Sequence, residues 1–211
     1  MNIRRICLYG GPGASKSTTA AGLFYSLKQL AQERPTLSVE LVQEYVKTWA
    51  YQHKKPAKFD QVYLFSKQLH KESALLNAGV SVVVSDSPVA LSVYYSSIKE
   101  LPAITSGLAS IAEVFEEAFP ALHVFLARGD RAYKQFGRFE TFDTAKAYDQ
   151  RILRFIGENP KLVPPARFIT VQSESAVSQI IDALPSLNLE LVQESGAVDA
   201  AREANSHTNS K

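Results

Sequence analysis

An α/β fold, with five parallel strands sandwiched between helices, is predicted by three features of the 211-residue sequence. Short apolar runs rich in β-branched residues alternate with amphipathic helical stretches along most of the chain. One of those runs, Val80 to Val84 (VSVVV), is nearly pure valine, as expected of a strand covered on both faces. A glycine-rich loop joins the first apolar run directly to the first helical stretch.

Taken in order, Ile3 to Tyr9 (IRRICLY) is short, largely apolar and cut off by glycines, which reads as a buried strand. From Lys16 to Gln32 the residues Ala20, Leu23, Phe24, Leu27 and Leu30 recur at three- and four-residue spacings and line one helical face. Leu37 to Val42 is a second strand. Gln61 to Asn77 is a helix closed by Gly79, where a C-terminal glycine belongs. After the valine strand come helices at Val89 to Ile98 and Leu108 to Phe119, then a strand at Leu122 to Ala127. A polar loop leads to a helix from Thr144 to Ile156, a last strand at Phe168 to Val171, and a helix near Ala176 to Leu184. No repeat of fixed period is visible.

Residues 1–190 are expected to form a single domain, and 191–211, rich in Ala, Ser and Asn, a tail without periodic structure. The hydrophobic content of 45% is that of an ordinary globular protein. The single cysteine, Cys7, excludes an intramolecular disulfide. No apolar run reaches the ~18 residues of a membrane span, and the start of the chain lacks a signal-peptide pattern. The expected location is the cytoplasm.

The loop Gly10 to Ser17 reads GGPGASKS. It matches the phosphate-cradling pattern of glycine, four residues, glycine, lysine and serine or threonine, except that Ser15 replaces the second glycine. Backbone N–H groups of Gly11, Gly13, Ala14 and Ser15, at the positive end of a helix, suit the phosphates of ATP. Lys16 would reach the β- and γ-phosphates, Ser17 would hold Mg²⁺, and Thr18 would lie near the α-phosphate. The alternative is a glycine turn beside a chance lysine, or a nucleotide site without catalysis.

No Asn-Lys-x-Asp motif for guanine and no Leu-Ser-Gly-Gly-Gln signature is present, and an AAA+ motor needs a helical lid domain for which this length leaves little room. Small kinases remain. Glu44 follows the second strand and can accept the proton of an attacking hydroxyl. Asp86, in Ser85-Asp86-Ser87-Pro88, follows the valine strand and can hold Mg²⁺ or share the role of base. Either carboxylate can equally be a helix cap. The loop 128–141 is basic and hinged by glycines, as a lid would be. Arg128 is placed with the nucleotide, and Arg131 and Arg138 with the charge on the transferring phosphate. The histidines His53, His70, His123 and His207 show no metal-ligand spacing and read as structural or solvent-exposed.

Together, GGPGASKST, Glu44-Tyr45, Ser85-Asp86-Ser87-Pro88 and Gly137-Arg138 ahead of a helix resemble small bacteriophage P-loop kinases, over residues 3 to 184. The chain looks most like the 5-hydroxymethyluracil DNA kinases of phages that hypermodify thymine. That resemblance implies Lys16, Ser17 and Thr18 for ATP and Mg²⁺, Asp86 for metal or base, and Arg131 or Arg138 for the lid. It also implies phosphorylation of the base's 5-hydroxymethyl group, with DNA carrying a hydroxymethylated pyrimidine as partner.

The acceptor-side segment, about 44–78, speaks to the same question. Between Tyr45 and Lys71 six lysines face one acid, Asp60, and Trp49, Tyr51, Phe59, Tyr63 and Phe65 are interleaved. Lysines neutralise phosphates and aromatic rings stack on exposed bases. Within the helix from Gln61, Tyr63 and Phe65 are expected in the core and the lysines on its wet face. The net charge of +2 hides this asymmetry: residues 1–100 carry 12 cationic and 7 anionic side chains, residues 101–211 carry 11 and 14. The expected reaction is γ-phosphate transfer to that DNA hydroxyl. The alternatives are a free deoxynucleoside or nucleoside monophosphate kinase, and a non-catalytic nucleotide- or DNA-binding module.

Overall fold

The computed structural model describes residues 2–129, 141–186 and 190–191. Its elements, in chain order, begin with β1 (Asn2–Ile3), β2 (Arg5–Tyr9), α1 (Lys16–Gln32), β3 (Val39–Val42), α2 (Lys47–Tyr51) and α3 (Asp60–Asn77). They continue with β4 (Val82–Ser85), α4 (Val89–Lys99), α5 (Pro102–Ala118), β5 (Ala121–Ala127), α6 (Phe142–Glu158), β6 (Phe168–Gln172), α7 (Ala176–Ser186) and β7 (Glu190–Leu191). Five strands form one sheet in the order β3-β4-β2-β5-β6, and every pairing is parallel. This is the α/β sandwich the alternation predicts.

Alternation within β2 builds two cores. Ile6 and Leu8 point to one face, where Leu23 and Leu27 of α1 and Ile180 of α7 cover them. Cys7 and Tyr9 point to the other, against Phe65 of α3, Leu91 of α4 and Phe115 of α5. From β2 the chain crosses to the edge strand β3, returns to β4 beside β2, and only then passes to β5 and β6 on the other side. The carboxyl end of β2 is therefore the switch point, where an open parallel sheet offers a crevice.

Several boundaries differ from expectation, each for a local reason. The run Ile3 to Tyr9 is divided at Arg4, and Asn2–Ile3 pairs instead with Glu190–Leu191. Leu191 thus belongs to a strand rather than to the expected tail, while residues 192–211 lie outside the described residues. The valine strand starts at Val82, because Gly79 at φ 88° ends α3 and the Val80 N–H still donates to the Leu75 carbonyl at 3.0 Å. Helix α5 begins at Pro102, a residue preorganised for a first helical turn, well ahead of Leu108. The five-residue helix α2 is too short for a periodic signal.

Candidate active site

The phosphate loop joins β2 to α1 at the switch point. Gly10 (φ 146°) and Gly13 (φ 79°) take backbone conformations that side chains disfavour. Ser15, at the position where the pattern has its second glycine, sits at φ 66°, ψ 15° and caps α1. The left-handed conformation is thus kept and a serine bears its cost, about 1–2 kcal/mol. Gly11 is required by space: a Cβ there would stand 2.7 Å from the Ala145 carbonyl oxygen and 2.8 Å from Asp149 Oδ1. Lys16 Nζ donates to the carbonyls of Gly10 (2.8 Å) and Gly11 (3.3 Å), so its ammonium is held across the loop.

Behind the loop stands a clamp. Asp149 of α6 accepts the Gly11 N–H at 2.6 Å and pairs with Arg128 Nε. The same guanidinium donates to the Pro12 carbonyl at 2.6 Å. Arg128, which the sequence places with the nucleotide, here grips the loop and α6 together. Asp149 lies 138 residues from Gly11, a separation that carries no spacing signal. Arg131 and Arg138, and most of the lid segment 128–141, lie outside the described residues.

In front of the loop lies a cleft of about 290 Å³, lined by Lys16, Ser17, Glu44, Lys47, Gln68 and Ser87 among others. Burial raises the Glu44 carboxyl above its ordinary value; Lys16 opposes this, Asp86 adds to it, and a Ser87 hydrogen bond and Lys47 again oppose it. The balance is upward. Lys47 Nζ, from the start of α2, donates to Ser17 Oγ at 3.1 Å. Asp86 is buried, and its Oδ1 has no partner among the described residues.

That orphaned oxygen bears on Mg²⁺. A buried carboxylate oxygen without a donor is costly unless a cation or ordered water meets it. Asp86 and the Ser17 hydroxyl are hard oxygen donors of the kind Mg²⁺ takes together with phosphates and water, so the residues fit the ion. Among the described residues no group of three or more His, Cys, Asp or Glu is placed to hold a metal, and Mg²⁺ at a phosphate loop needs no such group.

The segment 44–78 partly overturns expectation. Phe65 is in the core, but Tyr63 is 43% exposed. Its ring stacks on Trp49 and its hydroxyl meets that of Tyr45 at 2.8 Å. Trp49 is buried and Lys54 Nζ sits 3.8 Å from its ring centroid, so its faces are already in use. Tyr51 and Phe59 are exposed as well, beside exposed Lys54, Lys55 and Lys58. Phe59 (φ 70°) and His53 (φ 55°) bracket the turn in strained backbone.

A family model described as AAA_28, an AAA domain, matches residues 5–163. The chain belongs to this family. The matched stretch runs from the start of β2 beyond α6 and takes in the phosphate loop, Glu44, Asp86 and Asp149. Two solved structures share the fold of this AAA_28 domain. The NadR protein in complex with NR aligns over 92% of this chain and 54% of its own, at 11% identity and a TM-score of 0.62. This chain therefore spans about half of that one. The deoxyadenosine kinase of M. mycoides, with the products dCMP and a flexible dCDP, aligns over 87% of this chain and 99% of its own, at 15% identity and a TM-score of 0.50. No curated protein matches the sequence. The AAA_28 domain thus has a P-loop, kinase-like α/β fold, and no described helix is long and apolar enough to cross a membrane.

Sequence reasoning missed Asp149, Ser87 and the cleft-facing Gln61 and Gln68. For the two glutamines a signal exists: they fall on the buried stripe of α3 with Leu64, Phe65 and Leu76, and polar residues on an apolar stripe call for a reason.

Proposed function

We propose that this chain is an ATP-dependent kinase that transfers the γ-phosphate to a hydroxyl of a nucleoside-type acceptor. The observation that carries this reading is Glu44, a carboxylate with a raised pKa in the same cleft as Lys16 and the loop N–H groups. An acceptor hydroxyl placed beside Glu44 gives up its proton to that carboxylate as its oxygen attacks the γ-phosphorus in line, and the bond to the β–γ bridging oxygen breaks so that ADP leaves on the opposite side. Lys16 leaves the Gly10 and Gly11 carbonyls for the β- and γ-phosphate oxygens, and the loop N–H groups fix the phosphate chain. Lys47 adds positive charge from the acceptor side. Mg²⁺, held by Ser17 and Asp86, would neutralise the phosphate oxygens. Arg131 and Arg138 are proposed to close over the γ-phosphate, and Arg128 to act through the loop it holds.

A cleft of about 290 Å³ suits a nucleoside-sized group. The names of the two fold relatives, one with NR and one a deoxyadenosine kinase, support an acceptor of that kind. A second reading, the 5-hydroxymethyl group of 5-hydroxymethyluracil in DNA, is favoured by the segment that supplies Ala50 and Pro56 to the cleft, where Tyr51 and Phe59 are exposed beside Lys54, Lys55 and Lys58. Such a base must leave its stack to react, and exposed rings among lysines suit that task.

An acceptor panel with labelled ATP separates the readings: deoxynucleosides, nucleoside monophosphates, plain DNA and 5-hydroxymethyluracil DNA. Label on free nucleosides supports the first reading and label on modified DNA alone the second. Label on neither, with no loss on Lys16→Ala, leaves a binding module and rejects the kinase.

A further inference from the structure

The polar wall of the cleft has a fixed sense. Gln68 of α3 is 3% exposed and lines the cleft. Its amide nitrogen donates to Glu72 Oε1 at 3.1 Å and to Ser85 Oγ at 3.4 Å. Ser85 in turn donates to the same Glu72 oxygen at 2.7 Å, and Arg5 Nη1 stands 3.3 Å from Glu72 Oε2. An ionised carboxylate only accepts hydrogen bonds, so the amide must turn its NH₂ toward Glu72, with both hydrogens occupied there. Arg5, buried and itself paired with Glu116, keeps a positive charge beside Glu72. The carbonyl oxygen of Gln68 is what remains, and it has no partner among the described residues.

We propose that Gln68 is a specificity-determining residue that presents a fixed hydrogen-bond acceptor to the substrate, and that Glu72 and Arg5 are positioning residues that set its sense. The proposal rests on the nucleoside-type acceptor argued above. The class selected is a ring carrying a donor at its buried edge, such as the imide N–H of a uracil-type base or an exocyclic amino group. An amide with free surroundings can flip and accept either pattern; one locked by a carboxylate cannot. A ligand with no donor leaves a buried carbonyl unpaired, and sites built on such groups reject the wrong partner strongly.

The test uses the full chain and matched probes: thymidine against N3-methylthymidine, deoxycytidine against its N4,N4-dimethyl form, and deoxyadenosine against its N6,N6-dimethyl form. Dissociation constants are read by calorimetry without ATP. In the wild type the best-bound pair shows about a tenfold or greater preference for the N–H member. In Gln68→Met, similar in shape and unable to accept strongly, that preference falls to about twofold or less, while the methylated member binds as well as before. Glu72→Gln loses the preference although Gln68 is intact, because the amide is free to turn. Should Glu72→Gln fail to fold, Gln68→Met decides alone, since it leaves the Glu72 contacts with Arg5 and Ser85 in place. A preference that survives in Gln68→Met reflects steric exclusion of the methyl group and overturns the proposal, as does equal binding of both members in the wild type. Binding of none of the six probes overturns the nucleoside reading and this inference with it.

Discussion

The backbone N–H of Gly11 donates to Asp149 Oδ1 at 2.6 Å, which ties the phosphate loop to helix α6. Asp149 also neutralises Arg128, and both side chains are close to nine-tenths buried. Removing the carboxylate therefore frees the loop and strands a guanidinium at once. Asp149→Ala should lower thermal stability by about 3 kcal/mol, the scale for breaking a buried ion pair. Asp149→Asn keeps one acceptor for Gly11 and should cost less. In both variants KM for ATP should rise more than the acceptor KM, measured by steady-state kinetics on any productive pair.

Ser15 holds the left-handed backbone that the phosphate-loop pattern gives to glycine. Ser15→Gly should stabilise the chain by about 0.5–1 kcal/mol, with the unfolded chain's extra freedom offsetting part of the relieved strain. Ser15→Val places a β-branched side chain in the same conformation and should destabilise it. Urea midpoints of the three proteins give the order Gly, Ser, Val. An inverted order would mean that the loop does not need this backbone in solution.

Glu44 predicts the acid limb of the pH–rate profile. Burial lifts its carboxyl above the ordinary value of 4.5, with Lys16 the first of the groups opposing the rise. The ionised form is the base, so activity should fall as pH drops through a value above the usual carboxylate range. Lys47→Met removes a cation that pulls the carboxyl down, and the limb should move to higher pH. Glu44→Gln should cut transfer to a hydroxyl by roughly 100- to 10,000-fold. For stability the sign is the reverse: a carboxyl whose folded value lies above its unfolded one loses stability as pH rises between the two. Glu44→Gln should therefore melt higher than wild type at neutral pH.

The glycine loop and the strand and helix that flank it are written locally. The valine run and the glycines from Gly10 announce a strand and a turn through their own conformational needs, so both are found, although the strand itself starts only at Val82. The features that position the site are not local. Asp149 reaches Gly11 across the fold, and Tyr63 leaves the core because Trp49, on a five-residue helix with no period to read, offers it a ring to stack on. Gln68 looks like any polar residue until Glu72 and Ser85 are seen to fix its amide.

Beneath the sheet, Glu116 links Arg5, Arg167 and His123, and this buried network predicts how the fold responds to acid. Burial by itself would raise the Glu116 carboxyl, but the His123 hydrogen bond, with Arg5 and Arg167, holds it below its ordinary value. Burial lowers His123 despite Glu116, favouring the neutral imidazole, which meets the Tyr9 hydroxyl at 2.9 Å. Both shifts have the same sign for stability. A carboxylate with a depressed folded value and an imidazole with a depressed folded value each bind more protons when unfolded, so stability is lost as pH falls. The histidine contribution begins near its unfolded value of about 6.5 and the carboxylate contribution near 4.5, so the loss comes in two stages. Chemical denaturation between pH 8 and 4 should show this slope, and His123→Gln should flatten its upper part. Glu116→Gln leaves Arg5 and Arg167 short of charge and should cost about 3–5 kcal/mol at neutral pH. A profile level from pH 7 to 5 in the wild type would contradict the buried neutral imidazole.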